Sequence, residues 1–347
     1  MARKPHKIVY VGNRLERHGF SPTGIDKLAA LLGDEFDVVT ASHVRQQFIR
    51  LLDMMVVVLR NQDASYILID TYSTKAFYYA WIIGWLSNLL DVPYIAILHG
   101  GNLASRLDRS PRLCRQLFGR SFRNVAPSRF LQSIFKDRGF NVDVIPNPIQ
   151  IDDYKFSRRV QVKPRLLYVR SFDRTYNPAL AVRVLAELAI VDQSAALCMV
   201  GPDKDGTREE VEALAVELGV YDRIRFTGKL APSVWRGLSE DYDIFINTTN
   251  VDNTPLSVVE AMALGLPVVS TSAGGLPYLI TNGEDGFLVD RDSVGQFMEC
   301  IKCLIEDPDL VAEMTWKGRN TAQRFSSESV LEEWRKLLCG DLYPITS

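Results

Sequence analysis

Histidine and cysteine are both scarce in this 347-residue chain, with four and five copies. Cys114, Cys198, Cys300, Cys303 and Cys339 form an odd, scattered set. Such a set does not make a disulfide framework and suits a reducing compartment. Cys300 and Cys303 have no second Cys or His pair beside them, which a structural zinc site needs. The apolar spacing of residues 297–306 predicts a helix there instead, with both thiols on or near its buried face. The most apolar uncharged run, Ala76–Leu90, has 15 residues, where a bilayer span needs about 20. A buried helix of an α/β domain is one reading of it, and contact with a lipid surface is the other. The opening MARKPHKIVYVG runs directly into a strand pattern, so no secretory signal is expected and a cytoplasmic location is. No helix-turn-helix, zinc finger or other nucleic-acid module is legible, and no short-period repeat.

What is present is an ordinary globular composition, 47% hydrophobic and 24% charged. At 347 residues, two domains are the natural expectation. The net charge of −2 is unevenly spread, with residues 1–155 at +6 and residues 156–347 at −8. Residues 103–138 carry nine basic side chains against two acidic ones, and Arg106, Arg109, Arg112 and Arg115 recur every third position. That spacing would let the four share one helical face. Such a face attracts anionic lipid headgroups or a pyrophosphate-linked acceptor, and a merely solvated arginine surface is the competing reading.

Strand and helix patterns alternate along the whole chain. Strand-like runs end at Gly12, Thr40, Asp70, Gly100, Ser128 and Ile149 in the first half, and at Arg170, Gly201, Gly228, Asn247, Thr271 and Val289 in the second. Near-continuous apolar strands separated by helices predict parallel sheets covered on both faces. The polar stretch 152–164 reads as a linker. The expected fold is therefore α/β, with two successive Rossmann-like, doubly wound domains. Their ligands are expected outside the carboxyl ends of the strands, in one cleft if those edges face each other. The loop with Gly19, Pro22 and Gly24 follows the first strand.

Residues 252–275 read DNTPLSVVEAMALGLPVVSTSAGG. Thr254-Pro255 fits a loop entering a helix, with Asp252 and Asn253 just ahead. Free N–H groups around Leu256, Ser257 and Val258 would form an anion site, favoured by the helix dipole. Glu260 lies one turn deeper, where a carboxylate can accept from two vicinal hydroxyls. Asp252 could accept from hydroxyls of a transferred sugar. Gly274-Gly275 permits close backbone approach to a ligand. Singly, Glu260 could equally pair with a neighbouring helix and Asp252 merely start one.

This segment resembles the signature of retaining GT-B glycosyltransferases, family 4 of the glycosyltransferases. That family has two glutamates separated by seven residues and then a conserved-looking run ending in Gly-Gly. The second glutamate corresponds to Glu260, followed by Ala261-Met262-Ala263, Gly265, Pro267-Val268-Val269 and Gly274-Gly275. The first is replaced by Asp252, and Asn253-Thr254-Pro255 stands where glycine and aromatic residues are usual, which implies altered sugar selectivity. By the same resemblance, His99 is a cleft histidine that contacts the transferred sugar through side chain or backbone. Arg170 holds the diphosphate, with Arg174 in place of the customary lysine. Gly228, Lys229 and Leu230 approach the nucleotide base, while Gly201 and Gly24 lie close to the donor. The resemblance covers nearly the whole chain and is strongest over 165–290. It implies a GT-B fold with domains 1–155, completed by a C-terminal helix at about 328–347 that crosses back, and 156–327.

The function so implied is a retaining hexosyl transfer from a nucleotide-diphosphate sugar, UDP or GDP, to a lipid-linked or cell-surface glycan. No metal or other cofactor is expected: arginines and a helix dipole can meet the diphosphate charge, and no Asp-x-Asp ends a strand (Asp241-x-Asp243 precedes one). A front-face mechanism, in which the leaving phosphate deprotonates the acceptor, needs no protein nucleophile. A bacterial surface-polysaccharide pathway and the inner face of the cytoplasmic membrane are the expected setting. The rivals are an epimerase or phosphorylase on the same scaffold, and a non-catalytic nucleotide-sugar-binding module.

Overall fold

The computed structural model describes residues 6–14, 23–100 and 102–340. Gly19 and Pro22 lie outside the described residues, as does the end of the chain after Gly340. The chain divides into two compact units, one of residues 1–148 with 327–347, the other of 149–326.

In the first unit, strands and helices alternate as β1 (Lys7–Val11), α1 (Gly24–Leu32), β2 (Asp37–Ala41), α2 (Gln47–Arg60), β3 (Tyr66–Thr71), α3 (Ala76–Leu89), β4 (Tyr94–Leu98), α4 (Leu103–Arg109), α5 (Pro111–Phe118), β5 (Arg123–Ala126), α6 (Arg129–Lys136) and β6 (Asp143–Val144). The six strands form one sheet in the order β2-β1-β3-β4-β5-β6, all parallel. Every residue of β3 and β4 is buried, as a sheet covered on both faces demands. The order reverses direction between β1 and β3, which is where such sheets open a crevice for ligands.

The second unit runs β7 (Arg165–Val169), α7 (Pro178–Val191), β8 (Ala196–Val200), α8 (Thr207–Glu217), β9 (Ile224–Gly228), α9 (Pro232–Leu238), β10 (Ile244–Asn247), α10 (Leu256–Leu264), β11 (Val268–Thr271), α11 (Leu276–Leu279), β12 (Phe287–Val289), α12 (Val294–Glu306) and α13 (Pro308–Gln323). Its parallel sheet has the order β12-β11-β10-β7-β8-β9, so the switch lies between β7 and β10. The last helix, α14 (Ser327–Gly340), belongs to the first unit. It buries Val330, Trp334 and Leu338 against Ile8, Tyr10 and Ile25, and Arg335 pairs with Glu35.

Three local expectations change. The boundary between units falls at Pro148/Ile149 rather than after residue 155. Ile149, Ile151 and Tyr154 are buried in the second unit's core, and Ile149 donates to Phe325 O, so this stretch is built in rather than a free linker. The four arginines do not share one helical face. Ser110 leaves the helical region and Pro111 starts a new helix, which puts Arg106 and Arg109 on α4 and Arg112 and Arg115 on α5. On α12 only Cys300 is partly buried, beside the core residues Phe297, Ile301 and Leu304, while Cys303 is exposed.

Candidate active site

In the second unit the site residues gather at the switch point. Arg170 follows β7, and the 248–255 loop follows β10. Loop-to-loop hydrogen bonds fix the two together: Thr248 Oγ1 donates to Tyr176 O (2.9 Å) and Asn250 N to Thr175 O (2.8 Å). The Arg170 guanidinium is buried 4.6 Å from the centre of the Tyr176 ring and forms an ion pair with Asp252. Burial pushes its pKa down from the ordinary arginine range.

Around this pair several buried polar atoms have no hydrogen-bond partner among the described residues: Arg170 Nε, Tyr168 OH, Asn247 Oδ1, Thr254 Oγ1 and Ser257 Oγ. Leaving such a group unmatched costs about 1–3 kcal/mol each. Four of the five sit on Arg170, the strand end at Asn247, or the loop and helix start at Thr254 and Ser257. Pro255 is the N-cap of α10, and the Val258 N–H turns back to Pro255 O. The N–H groups of Leu256 and Ser257 therefore stand at the positive end of the helix dipole.

Glu260 projects from the first turns of α10, and its Oε1 accepts from Tyr154 OH at 2.6 Å. Burial, then the nearby Glu260 carboxylate, raises the Tyr154 phenol well above its usual range, so it is a fixed donor. Tyr154 was invisible in the sequence because it sits in a polar stretch that reads as linker.

Two glycines shape the backbone. Gly274 has φ of +58°, and a Cβ there would collide with Asp252 O, while Gly275 N donates to that same oxygen at 2.8 Å. This Gly-Gly pair thus seats the Asp252 loop itself. Gly201, with φ of +158°, lets β8 end against Arg170 O. Its N–H donates to Gly228 O, which places Gly228, Lys229 and Leu230 on the same edge, Lys229 exposed and Leu230 packed inward.

Arg174 is not brought into this cluster by its side chain. It starts a short turn from which its guanidinium, 75% exposed, pairs with Glu210 at 2.7 Å. Asp243 is occupied elsewhere too, accepting from Arg165 Nε at 2.7 Å and from Lys163 N.

The first unit has its own polar group at the β1/β3 switch. Asp70 is the penultimate residue of β3, its side chain 1% exposed, and its Oδ1 accepts from Tyr10 OH at 2.8 Å. His99 follows β4, held by its N–H to Thr71 O (2.8 Å), with Nε2 2.6 Å from the same Asp70 oxygen. Tyr72 stacks on the imidazole, with ring centres 4.8 Å apart. Gly24 is close on another side: a Cβ there would lie 3.0 Å from His99 Cε1. Asp70 carried no sequence signal beyond ending a strand.

Comparison with known proteins fits this arrangement. Residues 150–321 match the sequence model of the family described as Glycosyl transferases group 1. An uncharacterized glycosyltransferase of Haemophilus influenzae is 28% identical over 131 residues, 38% of this chain and 36% of that protein. D-inositol 3-phosphate glycosyltransferase of Corynebacterium jeikeium is 26% identical over 312 residues, 80% of this chain and 73% of that protein. Among solved structures, Anabaena HepE in complex with UDP superposes with a TM-score of 0.74 at 18% identity, covering 96% of this chain and all of that one. That likeness carries the GT-B fold. Over residues 150–321 the second unit is thus similar to the glycosyl transferases group 1 family, which supports a glycosyltransferase.

Proposed function

We propose that the chain is a retaining, metal-independent glycosyltransferase that moves a hexose-type sugar from UDP or GDP to a lipid-linked or cell-surface glycan. The observation that carries this reading is the group of buried, unmatched polar atoms around Arg170 at the β7/β10 switch. A diphosphate would satisfy Arg170 and the N–H groups at the start of α10. Glu260, held by Tyr154, would accept from a pair of ribose hydroxyls. Asp252 would release Arg170 to the phosphate and turn to the sugar hydroxyls. As the glycosidic bond to the leaving phosphate breaks, Arg170 and the helix dipole stabilise the negative charge that develops there. The acceptor oxygen would bond to the anomeric carbon on the face the phosphate leaves, passing its proton to a phosphate oxygen, and attack on that face would retain the anomeric configuration. The Anabaena neighbour was solved with UDP, so uridine is the first base to try.

The experiment is a transfer assay with UDP-, GDP- and ADP-sugars, with and without EDTA, the product's anomer read by proton NMR. One donor consumed at equal rate with EDTA, giving a retained anomer, is the expected result. An inverted product, or a rate abolished by EDTA, contradicts the proposal.

A peripheral seat on an anionic membrane is the second part of the proposal. No helix among the described residues is long and apolar enough to cross a membrane. In the first unit, however, α2 exposes Phe48 (68%), Ile49 and Leu52, α3 exposes Trp85 (54%), α4 exposes Arg109, and α5 exposes Arg112 and Arg115. Apolar insertion and charge attraction together bind such surfaces. The protein should sediment with anionic vesicles at low salt and be partly released at high salt. No sedimentation at low salt contradicts the proposal.

A further inference from the structure

We propose that Asp70 is a positioning residue that fixes His99 in the Nε2–H form, so that Nδ1 is presented as a hydrogen-bond acceptor for a substrate hydroxyl. The inference rests on the glycosyltransferase reading for what the hydroxyl belongs to, but not for the state of the ring.

Two groups converge on one carboxylate oxygen. Asp70 Oδ1 lies 2.8 Å from Tyr10 OH and 2.6 Å from His99 Nε2. Tyr10 and Asp70 are buried, and the Tyr10 phenol is held far above its ordinary titration range, first by burial and then by the Asp70 charge, so it can only donate. A carboxylate oxygen between two neighbours at these distances is an acceptor from both. The proton on the Asp70 side of the imidazole therefore belongs to Nε2, and the lone pair of the neutral ring is at Nδ1.

The ring has little freedom to present anything else. Its backbone N–H is tied to Thr71 O, Tyr72 covers one face at an interplanar angle of 19°, and the start of α1 closes on Cε1, where Gly24 leaves room only because it has no Cβ. Gly12, on the adjacent strand end, is likewise the residue that lets the carboxylate fit, since a Cβ there would collide with Asp70 Oδ2. His99 is nonetheless 11% exposed, so the ring is not sealed off. Both strand ends of the β1/β3 switch thus serve the orientation of one imidazole, at the place where this class of sheet meets ligands. Asp26 is the other carboxylate whose charge reaches this group, through Tyr10 and Tyr72, and Arg14 pairs with it at 3.0 Å, leaving Asp70 as the anion in contact with the ring.

The chain has four histidines, so their imidazole nitrogens can be followed individually by long-range proton–nitrogen NMR on labelled protein. His99→Gln identifies the ring by the loss of its signals. At alkaline pH the wild-type protein should show His99 as the Nε2–H tautomer. Asp70→Asn, whose amide can donate to Nε2, should move the population to Nδ1–H, while Tyr10→Phe should leave the tautomer as it is. A wild-type ring in the Nδ1–H form overturns the proposal without any variant being made, and so does an unchanged tautomer in folded Asp70→Asn. In the transfer assay Asp70→Asn should lose about a hundredfold in kcat/KM, with its Kd for free nucleotide within twofold of wild type. If wild-type protein transfers no sugar, the functional reading fails while the tautomer result still stands or falls by itself.

Discussion

In the first unit Tyr10 and His99 both hydrogen-bond Asp70, whereas in the second unit Asn247 Oδ1, Thr254 Oγ1, Ser257 Oγ and Arg170 Nε are buried atoms without partners among the described residues. Both groups stand at the switch point of a six-stranded parallel sheet. One sheet end ties its groups together through Asp70 Oδ1 and offers an oriented ring, with Asp70 Oδ2 left unpartnered among the described residues. The other is left short of partners, and a ligand rich in anionic and hydroxyl oxygens would supply them. Unmatched buried groups of this kind destabilise the free protein and favour the bound one, so the second unit should gain stability from a bound nucleotide.

The comparison can be broken from the first unit's side by removing Trp334, whose burial joins α14 to the sheet end with Tyr10. Trp334→Ala should cost about 3–5 kcal/mol, seen as an early transition in thermal denaturation, while nucleotide affinity measured well below that transition stays at the wild-type value. Equal loss of affinity would mean that the second unit's site is not self-contained.

On the second unit's side, Gly274→Ala should cost about 1–3 kcal/mol through its left-handed backbone and the collision with Asp252 O. Gly283→Ala is the control, because Gly283 shares a φ near that value (+80°) with open space where the Cβ would go. Only the first change should weaken nucleotide binding. Equal effects of the two on binding would detach the Asp252 loop from the site.

The smallest effect sharpens the picture rather than breaking it. Glu260→Gln keeps an oxygen for Tyr154 to donate to but removes the charge. It should weaken nucleotide binding about tenfold, on the scale of one charge-assisted hydrogen bond, with no change in melting temperature. A variant that binds normally takes Glu260 out of the site.

The strands were legible because short apolar runs such as YILID and AALCMVG, set between helix patterns, fit a sheet covered on both faces. The α10 segment was legible for a different reason: its Glu260, Ala261-Met262-Ala263 and Gly-Gly pattern resembles a known family, although Asn253-Thr254-Pro255 departs from it. What stayed hidden depends on distance in sequence. The contact of Asp70 with His99 exists because β3 and β4 are neighbours in a particular register, with Asp70 opposite Ile97. Nothing local announces it. Tyr154 reaches Glu260 across 106 residues. The four arginines form no single stripe because Ser110-Pro111 breaks the helix between them, a boundary already readable in the sequence. Arg174 shows the reverse problem, for a suitable residue type at a suitable place found Glu210 instead.

The central claim, that Arg170 and the start of α10 hold a nucleoside diphosphate, is tested most directly by calorimetric titration of UDP, GDP and ADP with and without EDTA, on wild-type protein and on Arg170→Ala. The account predicts that one nucleotide binds, that EDTA leaves its affinity unchanged, and that Arg170→Ala loses about 2–3 kcal/mol, or roughly 30- to 150-fold, in Kd. Binding of none of the three by the wild-type protein, or full affinity in Arg170→Ala, would contradict it.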